Sequence, residues 1–232
     1  HRGRIHRLHG GQLPGERLHE TIPYFHHTPR RFEAFRAAVK EDAARRASLV
    51  QPEIDFILQR GDQTAVVINL LESGEIPERV THNDTKLNNV LIDERSGEGI
   101  CVIDLDTVMP GSALYDFGDM VRVSACTAAE DEPDLDKVHF DPEMFRLLAA
   151  GYLSTAGSFL NRAEIAHLAF SARLITLEQG LRFLGDYLNG DVYYKIHRPQ
   201  HNLERCRTQL RMVAEMEDRA GEMQAVIEAC LP

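Results

Sequence analysis

The chain has 232 residues, 43% hydrophobic and 27% charged, enough to bury a sizeable core and typical of a globular protein. Its formal net charge of −10 argues against general nucleic-acid binding. No stretch approaches the ~18 consecutive apolar residues of a membrane span, and no secretory signal is visible, so a cytoplasmic location is expected.

The charge is uneven: residues 1–50 carry +5 and the remainder −15. Apolar residues are interleaved with the basic ones, so residues 1–28 read as an entry segment on an acidic body rather than a disordered tail. His6, His9 and the adjacent His26 and His27 have no cysteine partner, and they read as solvated side chains rather than a metal set. Cys101, Cys126, Cys206 and Cys230 are far apart and match no metal spacing, as expected for thiols in a reducing compartment.

Thr28-Pro29 has the form of an N-cap with proline at the first helical position, opening a helix to about Val50 with Phe32, Phe35, Ala38 and Val39 on one face. A second helix is predicted from Pro52 to Arg60. The apolar run Ala65–Leu71 is ambiguous in type. Arg79–Thr81, Val90–Ile92 and Ile100–Ile103 are short and β-rich. The last two flank Asp93-Glu-Arg-Ser-Gly-Glu-Gly99, which predicts an antiparallel hairpin. Beyond it the chain reads as helical. Predicted are a helix over Tyr115–Ala125, a solvated acidic loop over Glu130–Lys137, and a helix capped by Asp141 before Pro142. Asn161 with Glu164 forms a capping box opening a helix to about Leu188. Asn189-Gly190-Asp191 ends it, and a last long helix runs from near Asn202 to the end. The expected class is α+β, mostly α, with a small β hairpin.

The hairpin concentrates the chemistry. Asn89 starts one strand and Asp104 ends the returning one, so both reach the same end. Asp84 lies five residues before Asn89, in a loop at that end. Two carboxylates and an amide are hard oxygen donors suited to Mg²⁺, which takes the rest of its shell from water and substrate phosphate. A loop carboxylate beside such a metal can orient a hydroxyl nucleophile and accept its proton.

The spacing His82-x-Asp84-x-x-x-x-Asn89, followed by Asp104, resembles the kinase catalytic loop and metal-binding aspartate. Asn83 stands where protein kinases carry arginine, and Asp104-Leu-Asp replaces D-F-G. This variant resembles the aminoglycoside phosphotransferase and choline kinase branch. Three blocks look most like N-acetylhexosamine 1-kinases: His82-Asn-Asp-Thr-Lys-Leu-Asn-Asn89, Asp104-Leu-Asp-Thr-Val-Met-Pro-Gly-Ser112 and Tyr115-Asp-Phe-Gly-Asp-Met-Val-Arg122. Leu18–His26 and His201–Arg205 also resemble that group. The resemblance implies a protein-kinase-like C-terminal lobe over residues 29–232, with ATP as phosphoryl donor, Mg²⁺, and GlcNAc or GalNAc as substrate. It implies Asp84 as catalytic base and Asn89 and Asp104 as metal ligands. His82 would support the loop, and Asp116 would hold its backbone. Arg182 and Tyr193 match sugar-contacting positions. Their alternatives are an ion-paired surface arginine and a half-buried packing aromatic. Asp106 is either a support for the metal site or a turn residue, and Asp119 reads as a solvated or capping charge.

Upstream of His82 there is no Gly-rich phosphate loop, and the one lysine there, Lys40, falls on a predicted helix. The chain is therefore expected to be one lobe of a longer kinase, without its nucleotide-binding lobe. An apolar patch is expected around His82–Asn89 and residues 1–27. The alternatives are a kinase of an aminoglycoside or amino alcohol, and a non-catalytic ligand-binding module.

Overall fold

The computed structural model describes residues 17–231. His6 and His9 lie outside the described residues. The helices are α1 (Thr28–Glu41), α2 (Gln51–Leu58), α3 (Val66–Glu72), α4 (Ala113–Ser124), α5 (Pro142–Ala156), α6 (Arg162–Leu188), α7 (His201–Asp218) and α8 (Ala220–Ala229). The strands are β1 (Arg79–Thr81), β2 (Val90–Ile92), β3 (Gly99–Val102) and β4 (Met109–Gly111). The architecture is α+β and mostly α, as the sequence predicts. None of the described helices is long and apolar enough to cross a membrane.

The 27-residue helix α6 is the axis of the fold, and α1, α4 and α7 pack along it. One apolar cluster joins its first half to α3, α4, α5 and α8. The other joins its second half to α1, α2 and α7. From Leu174 to Leu188 the helix is buried on nearly every side, so its acidic side chains there need partners inside the protein. The capping box forms as expected: Asn161 Oδ1 accepts the Glu164 N–H at 2.8 Å, and Glu164 Oε2 accepts the Asn161 N–H at 2.7 Å. Glu164 also receives a bidentate pair from Arg79 of β1 at 2.6 and 2.8 Å. This fully buried contact fixes the first strand to the start of α6.

The predicted hairpin is present, with Val90 opposite Val102, Leu91 opposite Cys101, and an irregularity after Leu91. Its partner sheet was not predicted. β4 pairs antiparallel with β1, setting Thr81 opposite Met109 and Arg79 opposite Gly111. Pro110 and Gly111 hide this strand, because both are poor strand formers. Gly111 is required by proximity: a Cβ there would collide with Thr81 Oγ1 and come within 2.8 Å of Asn83 Oδ1.

Several boundaries differ from expectation. The N-cap of α1 is His27, whose Nδ1 accepts the Arg30 N–H, while the Thr28 hydroxyl turns inward to Glu178. The helix stops at Glu41, not near Val50. Asp42 adopts a left-handed conformation, and its Oδ1 accepts the N–H of Arg46 and Ala47, turning the chain. The ambiguous run at Ala65–Leu71 is largely helical, as α3. The final segment is two helices, because the chain turns at Arg219 so that Met223 and Ile227 reach the first apolar cluster.

Exposed apolar side chains near the loop are Leu18, Ile22 and Tyr24 in the entry segment and Leu87 within His82–Asn89, with Leu91, Ile100 and Leu105 on and just after the hairpin; others, such as Leu49 and Leu147, are exposed elsewhere. The Thr21 hydroxyl donates to the Asp106 carbonyl at 2.7 Å, tying the two regions together.

Helices α4 and α6 cross closely at Gly118, where an added Cβ would lie 2.6 Å from the Ser171 carbonyl oxygen. Gly118→Ala is expected to destabilise the fold by about 1–3 kcal/mol through overpacking. Gly151→Ala, on an exposed helical position with open space around it, is expected to stabilise by about 0.5–1 kcal/mol. Chemical denaturation of both variants checks the pair, and equal effects would contradict the close crossing.

Candidate active site

The loop from Thr81 to Asn89 is built around a buried carboxylate. Asp116, in the first turn of α4, accepts the His82 N–H on Oδ2 at 3.0 Å and the Asn83 N–H on Oδ1 at 2.7 Å. Burial pushes its carboxyl up to about 6, although these two N–H bonds pull the other way. The Asp116 carbonyl also accepts the Thr85 hydroxyl at 2.6 Å. One residue of α4 therefore grips the loop on both sides of Asp84.

Asn83 has φ +64°, the left-handed region that a non-glycine residue enters at a cost of about 1–2 kcal/mol. Its side chain sustains the turn. The amide donates to the carbonyls of Thr107 at 2.9 Å and Thr81 at 3.2 Å, and its oxygen accepts the Thr81 hydroxyl at 2.9 Å. His82 is buried, and its Nε2 meets the Ile103 carbonyl at 3.2 Å while the Asp84 N–H points to its Nδ1 at 3.3 Å. A carbonyl only accepts, so these neighbours select the Nε2–H tautomer. His82 thus ties the loop to the residue before Asp104.

The structure brings Asp84 and Asn89 into direct contact. The Asn89 amide donates to the Asp84 backbone carbonyl at 2.9 Å and to its Oδ2 at 3.0 Å. Both partners are acceptors, so Nδ2 faces them and Oδ1 is left for another ligand. Asp104 is exposed and left-handed, at φ +59°. Its neighbour Ile103 donates its N–H to the Asn89 carbonyl at 2.9 Å, which sets Asp104 at the same end of the hairpin. Asp106 lies in the middle of the short turn Leu105–Thr107 that follows, and its carbonyl accepts the Thr21 hydroxyl. Lys86 was not singled out from the sequence, though it lies within the same motif. Its Nζ reaches Asp84 Oδ2 at 2.7 Å and places a cation beside the carboxylate.

Arg182 and Tyr193 meet a second cluster. The Arg182 guanidinium lies 5.8 Å from the Phe25 ring and 5.7 Å from the Tyr194 ring, and it donates to Gln179 at 3.1 Å. Tyr193 is 72% exposed and stands edge-on to Tyr194, so it is not a packing aromatic. Its loop is held by the buried Asp186, which accepts the N–H groups of Val192, Tyr193 and Tyr194 and the amide of Asn202.

Two expectations need correction. Asp119 is not solvated. It is 4% exposed and paired with Arg122 at 2.9 Å, because α4 turns this face toward the interior. His26 is not solvated either: it is buried between α4, α6 and the loop. The acidic loop is partly exposed but committed to ion pairs, Glu130 with Arg122 and Asp131 with Arg198 and His201.

Asp186→Ala should leave those loop N–H groups without their acceptor, costing about 1–3 kcal/mol of stability. Hydrogen exchange should show protection lost at Val192–Tyr194. Unchanged protection there would contradict the anchoring role.

The chain matches the model of the phosphotransferase enzyme family over residues 3–149. The matched region contains His82, Asp84, Asn89, Asp104 and Asp116, whereas Arg182 and Tyr193 lie beyond it. With the match extending over more than half of its length, the chain belongs to the phosphotransferase enzyme family, whose chemistry is phosphoryl transfer to small molecules.

Proposed function

We propose that the protein is an ATP- and Mg²⁺-dependent kinase that phosphorylates the anomeric hydroxyl of an N-acetylhexosamine, GlcNAc or GalNAc. The observation that carries the reading is the Asp84–Asn89 contact at 3.0 Å at the end of a hairpin that also presents Asp104. Asp84 receives the proton of the attacking hydroxyl and orients it. Asn89 Oδ1 and the Asp104 carboxylate are the groups that would hold the metal. Among the described residues no cluster of three His, Cys, Asp or Glu side chains offers a complete cage. One amide oxygen and one carboxylate instead suit Mg²⁺, which keeps waters and takes phosphate oxygens. When bound, the ion neutralises charge on the transferring phosphoryl group. The Lys86 ammonium adds a second positive charge at the same end.

The sugar reading draws on the cluster around Arg182. Phe25 and Tyr194 flank the guanidinium and Tyr193 stands exposed beside them, giving aromatic faces and hydrogen-bonding groups of the kind a pyranose uses. Residues 29–232 serve as the helical lobe and residues 1–28 as its entry segment. The apolar side chains exposed at the hairpin are of the kind that a second, nucleotide-binding lobe would cover.

The test is a substrate panel of hexosamines, aminoglycosides and amino alcohols, given with ATP and Mg²⁺ to the full-length protein and read by ³¹P NMR. A sugar 1-phosphate resonance from GlcNAc or GalNAc is expected. Transfer only to an aminoglycoside or to choline would overturn the sugar assignment, and no transfer to any acceptor would favour a binding module.

A further inference from the structure

We propose that His26 is a positioning residue for Asp84: an imidazolium that clamps the peptide leading into Asp84 to Glu178 of α6. The proposal rests on the reading of Asp84 as the reactive carboxylate.

His26 and Glu178 are 9% and 1% exposed. His26 Nδ1 lies 2.8 Å from Glu178 Oε1, and its Nε2 lies 2.9 Å from the Asn83 carbonyl oxygen. Glu178 Oε2 accepts the Thr28 hydroxyl at 2.5 Å. A backbone carbonyl and an ionised carboxylate can only accept. A neutral imidazole carries one N–H, so with Glu178 ionised a ring lone pair would face one of these oxygens. The doubly protonated ring satisfies both. A neutral ring beside a protonated Glu178 would make the same contacts, and the surrounding charges decide between the two states. Asp119 of α4 favours the imidazolium, and Arg182, one turn further along α6, favours the carboxylate. Asp116, also on α4, interacts with His26 and His82. The Tyr115 ring covers the imidazole at 5.0 Å, and the Phe25 ring meets it edge-on at 4.7 Å. Burial alone would lower the His26 pKa, but Glu178 and the Asn83 carbonyl outweigh it and raise the value. Burial likewise opposes the Glu178 charge, and His26 and Thr28 reverse this and lower its pKa.

The consequence for the loop is specific. Asp116 holds the Asn83 N–H, and Thr81 and Thr107 hold the Asn83 side chain. None of them holds the Asn83 carbonyl, which shares a peptide plane with the Asp84 nitrogen. His26 does, and at 2.9 Å it holds one side of the peptide whose N–H meets His82 Nδ1 at 3.3 Å on the other, so it sets the orientation of the peptide that carries Asp84 together with His82. Phe25, the residue before it, lies against Arg182, so the clamp also borders the cluster assigned to the sugar.

The proton on His26 makes the clamp conditional on pH. Its raised pKa means that the pair's stabilisation is fully present below about 6.5, the ordinary histidine value, and is lost as pH rises through the folded-state pKa. On the acid side the lowered Glu178 pKa keeps its contribution above about 4.3, with loss as pH falls through its own folded value.

Two measurements test the proposal. Long-range ¹⁵N imidazole NMR of the folded chain at pH 7 should show both His26 nitrogens protonated, with assignment by His26→Gln. A neutral ring would overturn the clamp, whether or not the protein turns over a sugar. In steady-state kinetics, Glu178→Gln and His26→Gln should lower kcat on the order of 10- to 100-fold with little change in sugar KM. The alkaline decline of kcat in the wild type should also be absent from His26→Gln. Wild-type kcat in folded Glu178→Gln would overturn the positioning role. No turnover by the full-length wild-type protein would sink the kinase reading on which that role depends, with the NMR result still deciding the ring's charge.

Discussion

Two backbone N–H groups, those of His82 and Asn83, converge on the carboxylate of Asp116, and the site is organised around that convergence. A buried carboxylate is costly unless its oxygens are satisfied, and a left-handed asparagine is costly unless its backbone is held. Each requirement answers the other. With the loop fixed at that point, Asp84 and Asn89 meet, and His82 joins the loop to the strand end before Asp104.

The same principle recurs along α6. Glu164, Glu178 and Asp186 are buried acids on one helix, and each reaches a different part of the chain. Glu164 holds β1 through Arg79, Glu178 holds the entry segment through His26 and Thr28, and Asp186 holds the loop carrying Tyr193. Replacing one partner of such a contact leaves an uncompensated polar group inside, so these residues specify geometry more than they add stability. The close crossing at Gly118 brings α4 against α6, so that Asp116 directly, and Glu178 through His26, act on neighbouring atoms of one loop.

Much of this was legible in the sequence where the signal is local. The turn over Asp93–Gly99 announced the hairpin, the spacing of Asp84, Asn89 and Asp104 announced their shared end, and the Asn161–Glu164 box announced the start of α6. What failed was long-range. Burial of His26 depends on Glu178, 152 residues away, and histidine in a basic segment otherwise reads as solvated. Asp119 was misread because helical periodicity does not say which neighbour covers a polar face. Strand β4 was hidden by Pro110 and Gly111, which make sense only beside Thr81 and Asn83. Helix α1 ended early because the Asp42 side chain competes for backbone N–H groups.

Under the proposed function, the scaffold places one carboxylate, that of Asp84, against a substrate hydroxyl. The most direct measurement is phosphoryl transfer by Asp84→Asn beside its equilibrium binding of the same sugar. The substitution keeps the side chain's size and removes its capacity to accept a proton. Turnover is predicted to fall by about 10²- to 10⁴-fold with sugar affinity retained. Wild-type turnover in a correctly folded Asp84→Asn protein would contradict the account.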